Sequence, residues 1–393
     1  MFFPFFLHNG LMANILQDIF KDHYEELLYI SHPRQSVIEN VDRMIGCGDP
    51  SFGGALYSCS CGNMKFVPFR CHSRFCPTCG NMYSIDRTTA MSFKLIDCTH
   101  RHCVFTIPEE LRHFFLEDRD LLNCLFSSVR SVILRMFHDH NKSEKFTPGI
   151  ICVLHTFGRS LQWNPHIHCL VTEGGNGDHG FWRNVNHFNY TYLRNAFCTA
   201  LLNEMEVKIG KSFKRVKADI YKNHRLGFYV HAKPNQCNPS QIAKYIGRYL
   251  GRPVIATKRI DSYDGEYVTF HYNRHGDNKY IVERIPALEF MNRLTQHIPE
   301  KHFKMIRYYG LYARHRDVDK KLRHHISKEK QRFFQSFTKW RTSILTSFGY
   351  DPLKCSCCGK EMTITEIYYN SHHVSLQDLY ERFMNKNRYG PAA

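Results

Sequence analysis

The sequence predicts an α+β protein: a mixed domain of strands and helices, preceded by a small zinc-binding domain and followed by a basic, mostly helical region. Three observations predict it. Apolar strand patterns alternate with helical periods from Arg101 onward. Six cysteines crowd a Gly-rich stretch over residues 47–80 that has too few aliphatic residues to hold itself together without a metal. The basic excess sits in blocks, not along the whole chain. With 393 residues, the chain is long enough for two or three domains. The boundaries read as a helical segment over 1–40, the zinc-binding domain over 41–97, the mixed domain over 98–260, the basic region over 261–350, and a tail over 351–393.

Each element has its own reason. Ile15, Leu16, Ile19, Phe20, Tyr24, Leu27 and Leu28 repeat at helical spacing, so residues 13–30 open the chain as an amphipathic helix. Residues 103–107 read as a strand, Pro108 sits where a helix starts, and residues 111–140 keep an apolar helical period. Strands follow over 149–157 and 166–172, joined by a turn-rich stretch that fits a hairpin. A helix over 190–209 and a strand over 226–232 come next. Asn238 and Pro239 supply a cap and a first-turn proline for a helix that runs to Leu250 and ends at Gly251 and Pro253. Strands at 266–273 and 279–285 precede the basic helical window.

Composition excludes several classes. Hydrophobic residues at 43% and aromatics at 14% exceed what a disordered chain carries, and no run of 18 apolar residues is present to span a bilayer. The apolar start at residues 1–7 lacks the basic n-region and cleavage site of an export signal, so an unexported, cytoplasmic protein is expected. The net charge is +17. Residues 201–260 hold 13 basic against 3 acidic side chains, and residues 301–350 hold the same numbers. Interleaved with Tyr245, Tyr249, Tyr308, Tyr309, Tyr312, Phe333, Phe334 and Trp340, this charge suits a polyanion that also stacks, which is nucleic acid.

Three constellations carry chemistry. Cys47, Cys59, Cys61, Cys71, Cys76 and Cys79 include the knuckle Cys76-Pro77-Thr78-Cys79-Gly80, and an all-sulfur tetrahedral site suits Zn²⁺. With His72, they allow either one four-cysteine site with spare thiols or two sites that recruit another ligand. Cys355, Cys357, Cys358 and Gly359 form half a knuckle, a second candidate zinc position. Next, His166 and His168 flank Ile167 ahead of an apolar run, so both imidazoles project from one face of a central strand. His155 lies on the strand paired with it, and three imidazoles converging this way make an open site for a divalent ion. The spacing recurs at His100/His102 and His138/His140, about as often as chance allows for this many histidines. Last, Tyr245 and Tyr249 share a helix face with Gln241 one turn earlier, amid Lys244, Arg248 and Arg252, a basic collar suited to phosphate.

Pro165-His-Ile-His-Cys-Leu-Val171 and Tyr245-Ile-Gly-Arg-Tyr249 resemble the His-hydrophobe-His (HUH) and two-tyrosine motifs of the rolling-circle transposases of the insertion-sequence ninety-one type. Cys71-His-Ser-Arg-Phe-Cys-Pro-Thr-Cys79 is similar to their N-terminal zinc-binding region, as are residues 154–159 and 307–311 to other stretches of the family. The resemblance implies an HUH endonuclease palm, an antiparallel sheet with helices on one side, over residues 98–260. It implies Mg²⁺ or Mn²⁺ held by His166 and His168. His155 is placed as third ligand by likeness to the three-histidine motif of relaxases, and Gln241 is the alternative used in other branches. It further implies single-stranded DNA with hairpin element ends as substrate, Tyr245 and Tyr249 as nucleophiles, and a 5′-phosphotyrosine intermediate. One residue between Cys59 and Cys61, where the family pattern has two, is the departure. A rolling-circle replication initiator or relaxase would share this chemistry, and a zinc-dependent nucleic-acid-binding regulator is the reading from another class.

Overall fold

The computed structural model describes residues 14–139, 146–177, 181–185, 187–231, 253–274, 276–313, 326–337, 339–370 and 372–381. Asn14 accepts from the Leu16 amide and caps α1 (Ile15–Ser31), which buries Leu16, Ile19, Phe20 and Leu27 and ends at His32 in the left-handed region. Then come α2 (Gln35–Ile45), β1 (Gly53–Ser58), β2 (Met64–Pro68) and α3 (Pro77–Ser92), the last with Cys76 at its N-cap position and Pro77 in its first turn. The mixed region holds β3 (His100–Thr106), α4 (Arg112–Glu117), α5 (Leu122–Asp139), β4 (Thr147–Phe157), β5 (Trp163–Asn176), β6 (Trp182–Asn184), α6 (Tyr190–Ile209), α7 (Phe213–Asn223) and β7 (Val230–His231). After it lie β8 (Ile260–Tyr263), β9 (Tyr267–Asn273), β10 (Tyr280–Pro286), α8 (Ala287–Thr295), β11 (Ile306–Gly310), α9 (Lys328–Phe337), α10 (Trp340–Phe348), β12 (Thr363–Tyr369) and β13 (His372–Val374).

The fold is α+β with antiparallel sheets. The largest has the strand order β11-β4-β5-β3-β7, with β6 added along β5. Strand alternation divides its side chains. Cys103 and Phe105 of β3, Ile150, Cys152 and Leu154 of β4, and Ile167, Cys169 and Val171 of β5 face inward onto α5 and α6, where Leu125, Val129, Ile133, Phe197 and Leu201 complete the main core. Phe105 meets Phe197 edge-on at 5.1 Å, and each fully buried ring of this kind contributes roughly 2–3 kcal/mol. The opposite face carries Ile151, Val153 and Leu170 at one end, covered by Leu95, Ile96, Leu311 and Tyr312.

A second core joins distant parts of the sequence. α1, α2 and the Phe75–Cys79 turn pack with Val268 and Phe270 of β9 and with Phe290 and Met291 of α8. A third assembly has the order β13-β12-β1-β2, so a strand from the tail pairs with one from the zinc-binding segment.

Several expectations shift in detail. The helix expected over 111–140 is two: Asp118 leaves helical geometry and accepts from the Asp120 amide, so α4 stops and the chain restarts as α5. Of the strand expected over 226–232, Val230–His231 is the part that pairs among the described residues, with Phe105 and Val104, and residue 232 lies outside them. Between residues 260 and 350 strands and helices alternate, so this basic region is helical only in part. Residues 306–310 form β11 at the edge of the central sheet, with their charges on side chains and their backbone paired to β4. Gly310 there has φ +58°, and a Cβ would lie 1.8 Å from the Pro148 carbonyl oxygen, so this position of the Arg-Tyr-Tyr-Gly-Leu stretch takes only glycine. The helix expected over 238–250 lies outside the described residues.

Candidate metal centres and catalytic face

The first centre forms where α2 ends and α3 begins. Cys47 follows α2, Cys71 lies after β2, and Cys76 and Cys79 flank the start of α3; the four sulfurs all lie within 4.8 Å of one another. Cys47 and Cys71 each sit 3.5 Å from the Cys79 sulfur, close to the edge of about 3.8 Å that a tetrahedron of 2.3 Å Zn–S bonds requires. Hydrogen bonds from the thiols of Cys71, Cys76 and Cys79 pull Cys47 far below the ordinary thiol range, and Cys47 in turn pushes Cys71 up. Four thiols this close ionise together only around a cation, so the donor set fits Zn²⁺.

Cys59 and Cys61 are not part of that centre. They meet Cys355 and Cys358, again with all four sulfurs within 4.8 Å. The six upstream cysteines thus divide four and two, and the half knuckle of the tail faces the two. His72 belongs to neither cluster and Cys357 is exposed. Sequence spacing could not show this, because the strand pairing that brings the halves together joins Gly53–Ser58 to residues 363–369.

The third cluster lies on the same face of the central sheet as Ile151, Val153 and Leu170, on strands β4 and β5. His155 of β4 is directly opposite His166 of β5, and His168 is opposite Val153, so all three imidazoles share a face. Their nitrogens lie within 4.8 Å of one another, with ring centroids 4.6–5.7 Å apart. The Nδ1–H of His166 donates to the Asn164 carbonyl at 2.7 Å, which leaves Nε2 bare and aimed at His168 Nε2, 3.1 Å away. Burial holds His166 below the ordinary imidazole range, and burial followed by the neighbouring imidazoles of His155, His166 and His102 holds His168 well below it. Neutral imidazoles with converging lone pairs fit a divalent ion with open positions.

His102 is the residue the sequence reading missed, because its His-x-His spacing looked like chance. On β3 it is opposite Leu170, and its Nε2 lies 3.0 Å from His168 Nδ1, the two rings stacked at 5.2 Å. The recoverable clue is pairing: a strand beside β5 places every second residue on the histidine face.

Gln241, Lys244, Tyr245, Arg248, Tyr249 and Arg252 lie outside the described residues. In the second basic block, Lys330 pairs with Asp97 and Arg341 with Asp351 and Glu361, so these two cations meet acidic partners from outside it. Among the described residues, no helix is long and apolar enough to cross a membrane.

A four-cysteine N-terminal centre joined to an antiparallel sheet with an imidazole cluster defines a metal-binding α+β protein. The comparisons give the family. The family described as "Transposase zinc-binding domain" matches residues 19–107, and the family described as "Putative transposase" matches residues 149–319. The "Transposase for insertion sequence element IS801" of Pseudomonas savastanoi pv. phaseolicola is 31% identical over 299 residues, covering 71% of each chain. "Putative transposase y4qJ" of Sinorhizobium fredii (strain NBRC 101917 / NGR234) is 26% identical over 287 residues, 67% of this chain and 71% of the relative. No solved structure matches. The chain belongs to the IS91/IS801 family of transposases, zinc-binding enzymes that act on DNA.

Proposed function

We propose that this transposase cleaves and rejoins single-stranded DNA through a 5′-phosphotyrosine, moving its insertion sequence by a rolling-circle route in the cytoplasm, at the nucleoid. The observation that carries the reading is the convergence of His155, His166 and His168 on one sheet face in a chain of this family. Mg²⁺ or Mn²⁺ bound there would polarise the scissile phosphate and offset charge developing on its oxygens. The chain's own residues do the rest. The Asn164 carbonyl fixes the His166 ring, and the His102 nitrogen fixes that of His168.

The phenolic oxygen of Tyr245 or Tyr249 attacks phosphorus, the P–O3′ bond breaks, and the phenolic proton passes through solvent to the departing 3′-oxygen. The phosphotyrosine keeps the energy of the broken bond, so a later 3′-OH can attack phosphorus and release the phenol. The second tyrosine takes a second strand while the first bond waits. Lys244, Arg248 and Arg252 contact backbone phosphates, and hairpins at the element ends present an exposed, bendable strand. Residues 98–260 form the catalytic domain in this reading, with 1–40, 41–97, 261–350 and 351–393 as the flanking units.

The test is direct. Full-length protein incubated with a labelled single-stranded oligonucleotide of an element end and Mn²⁺ should give a denaturant-stable adduct that chelator abolishes and that peptide mapping places on Tyr245 or Tyr249. An adduct on neither residue, or nicking with no adduct, overturns the proposal.

A further inference from the structure

We infer that Cys59, Cys61, Cys355 and Cys358 form a second structural zinc site, which clasps the C-terminal segment to the N-terminal β1–β2 hairpin. The four sulfurs lie within 4.8 Å of one another, with Cys59 to Cys358 at 3.4 Å and Cys61 to Cys355 at 3.7 Å, near the tetrahedral edge of about 3.8 Å. The ligands come from opposite ends of the chain, Cys61 and Cys355 being 294 residues apart.

The backbone around them is that of metal knuckles. Gly62 donates to the Cys59 carbonyl at 2.9 Å and Gly359 to the Cys355 carbonyl at 3.0 Å, both glycines in the left-handed region. The first centre has a similar closure, with Gly80 donating to the Cys76 carbonyl at 2.7 Å. The Asn63 side-chain amide adds a contact to Cys355 at 3.3 Å.

Little else is buried there. The local core is Cys59, Cys355 and Met362, with Tyr57 against it, too small to fix a tail by apolar burial alone. What the clasp secures is larger than itself. β12 pairs with β1 along Gly53–Ser58, Arg341 of α10 binds Asp351 and Glu361 beside the knuckle, and Ser343 of α10 donates to Asp86 of α3 at 2.7 Å. One zinc thus ties residues 355–358 to the β1–β2 hairpin and helps hold α10 against α3.

The experiment is metal counting on full-length protein with a proteolysis readout. Wild type should carry two zinc ions by elemental analysis, Cys355→Ser/Cys358→Ser one, and Cys358→His, which keeps a ligand atom, two. Trypsin should cut after Lys354 and Lys360 at least tenfold faster in the Ser/Ser variant than in wild type, while the variant keeps its remaining zinc and a cooperative melt. A single zinc in wild type that the Ser/Ser variant retains, two zincs in that variant, or unchanged cleavage at Lys354 and Lys360 would overturn the inference. Should the Ser/Ser variant not fold, zinc X-ray absorption of the wild type still decides: two zincs per chain with sulfur ligands alone support the site, and one sulfur-ligated zinc per chain refutes it.

Discussion

His102→Phe isolates what a neighbouring ring does for the histidine cluster. When His168 uses Nε2 for an ion, its Nδ1 must carry the proton, and that proton faces His102 Nε2 at 3.0 Å. His102 is buried and held neutral, with its pKa brought down to about 3 by burial first and by His231 and His166 next, so it is available as an acceptor at neutral pH. Phenylalanine keeps the stacked ring, 5.2 Å from His168, and removes the acceptor. Loss of such an outer partner typically weakens metal affinity about 10–100-fold, equivalent to about 1.4–2.7 kcal/mol. Titration calorimetry of Mn²⁺ into the full-length protein at fixed pH should show this weakening. Cleavage of single-stranded DNA should fall at limiting Mn²⁺ and largely recover at saturation, since the ring positions a ligand and does not touch substrate. His102→Gln, which restores an acceptor, should recover part of the affinity. Mn²⁺ affinity within twofold of wild type in a well-folded His102→Phe protein would refute the argument.

Cys76→Ser should remove the first zinc and, because Cys47, Phe75, Cys76 and Cys79 share a core with α1, α2, β9 and α8, destabilise all of them together. The loss is about 10 kcal/mol or more, read as disappearance of the cooperative melt of that unit, and a melt unchanged by mutation or chelation would contradict it. Tyr245→Phe and Tyr249→Phe each delete one oxygen, so DNA affinity should persist while the double variant forms no covalent adduct in the oligonucleotide assay. Burial holds His100 at about 4 and His297 at about 3 against 6.5 for the unfolded chain, so each contributes stability that is full above 6.5 and lost as pH falls toward those values. At pH 5.5 the two alone cost about 3 kcal/mol, with His102, His166 and His168, also held down by burial, adding to the loss, so denaturant unfolding in excess zinc should show at least that difference between pH 7.5 and 5.5; equal free energies at both would be inconsistent with buried neutral imidazoles.

Much of the fold was legible because its strands and helices carry their own periods. The helix over 190–209 is α6 to the residue, and the paired strands of the histidine hairpin fall within β4 and β5. What was illegible is long-range. Nothing near Cys59 or Cys61 says that their partners wait at Cys355 and Cys358, since no local pattern records a strand pairing across the whole chain. His102 was discounted for the same reason: its spacing is common, and only the β3–β5 register distinguishes it from His138 on α5. The break between α4 and α5 was hidden because the apolar period continues across the Asp118 turn.

The register of one hairpin decides whether the imidazoles form a cluster at all. His166, His168 and Leu170 lie on one face of β5, and Ile167, Cys169 and Val171 on the other, inside the main core. A one-residue slip against β4 and β3 would turn the histidines onto α5 and α6 and the aliphatic residues out, exchanging buried apolar area for desolvated imidazoles. The turn resists that slip. The Gly158 amide donates to the Gln162 carbonyl at 3.1 Å and the Leu161 amide to the Gly158 carbonyl at 3.2 Å, with Leu161 buried at φ +66°. His297 then donates to the Leu161 carbonyl at 2.8 Å and accepts from Thr156, the residue after His155. Leu161 is a bulky residue in a left-handed turn, a conformation that costs on the order of 1–3 kcal/mol and persists only when its surroundings fix it. Its side chain lies in the second core and its carbonyl is held by His297, so the packing between α1, β9 and α8 also fixes the register that brings His155 opposite His166.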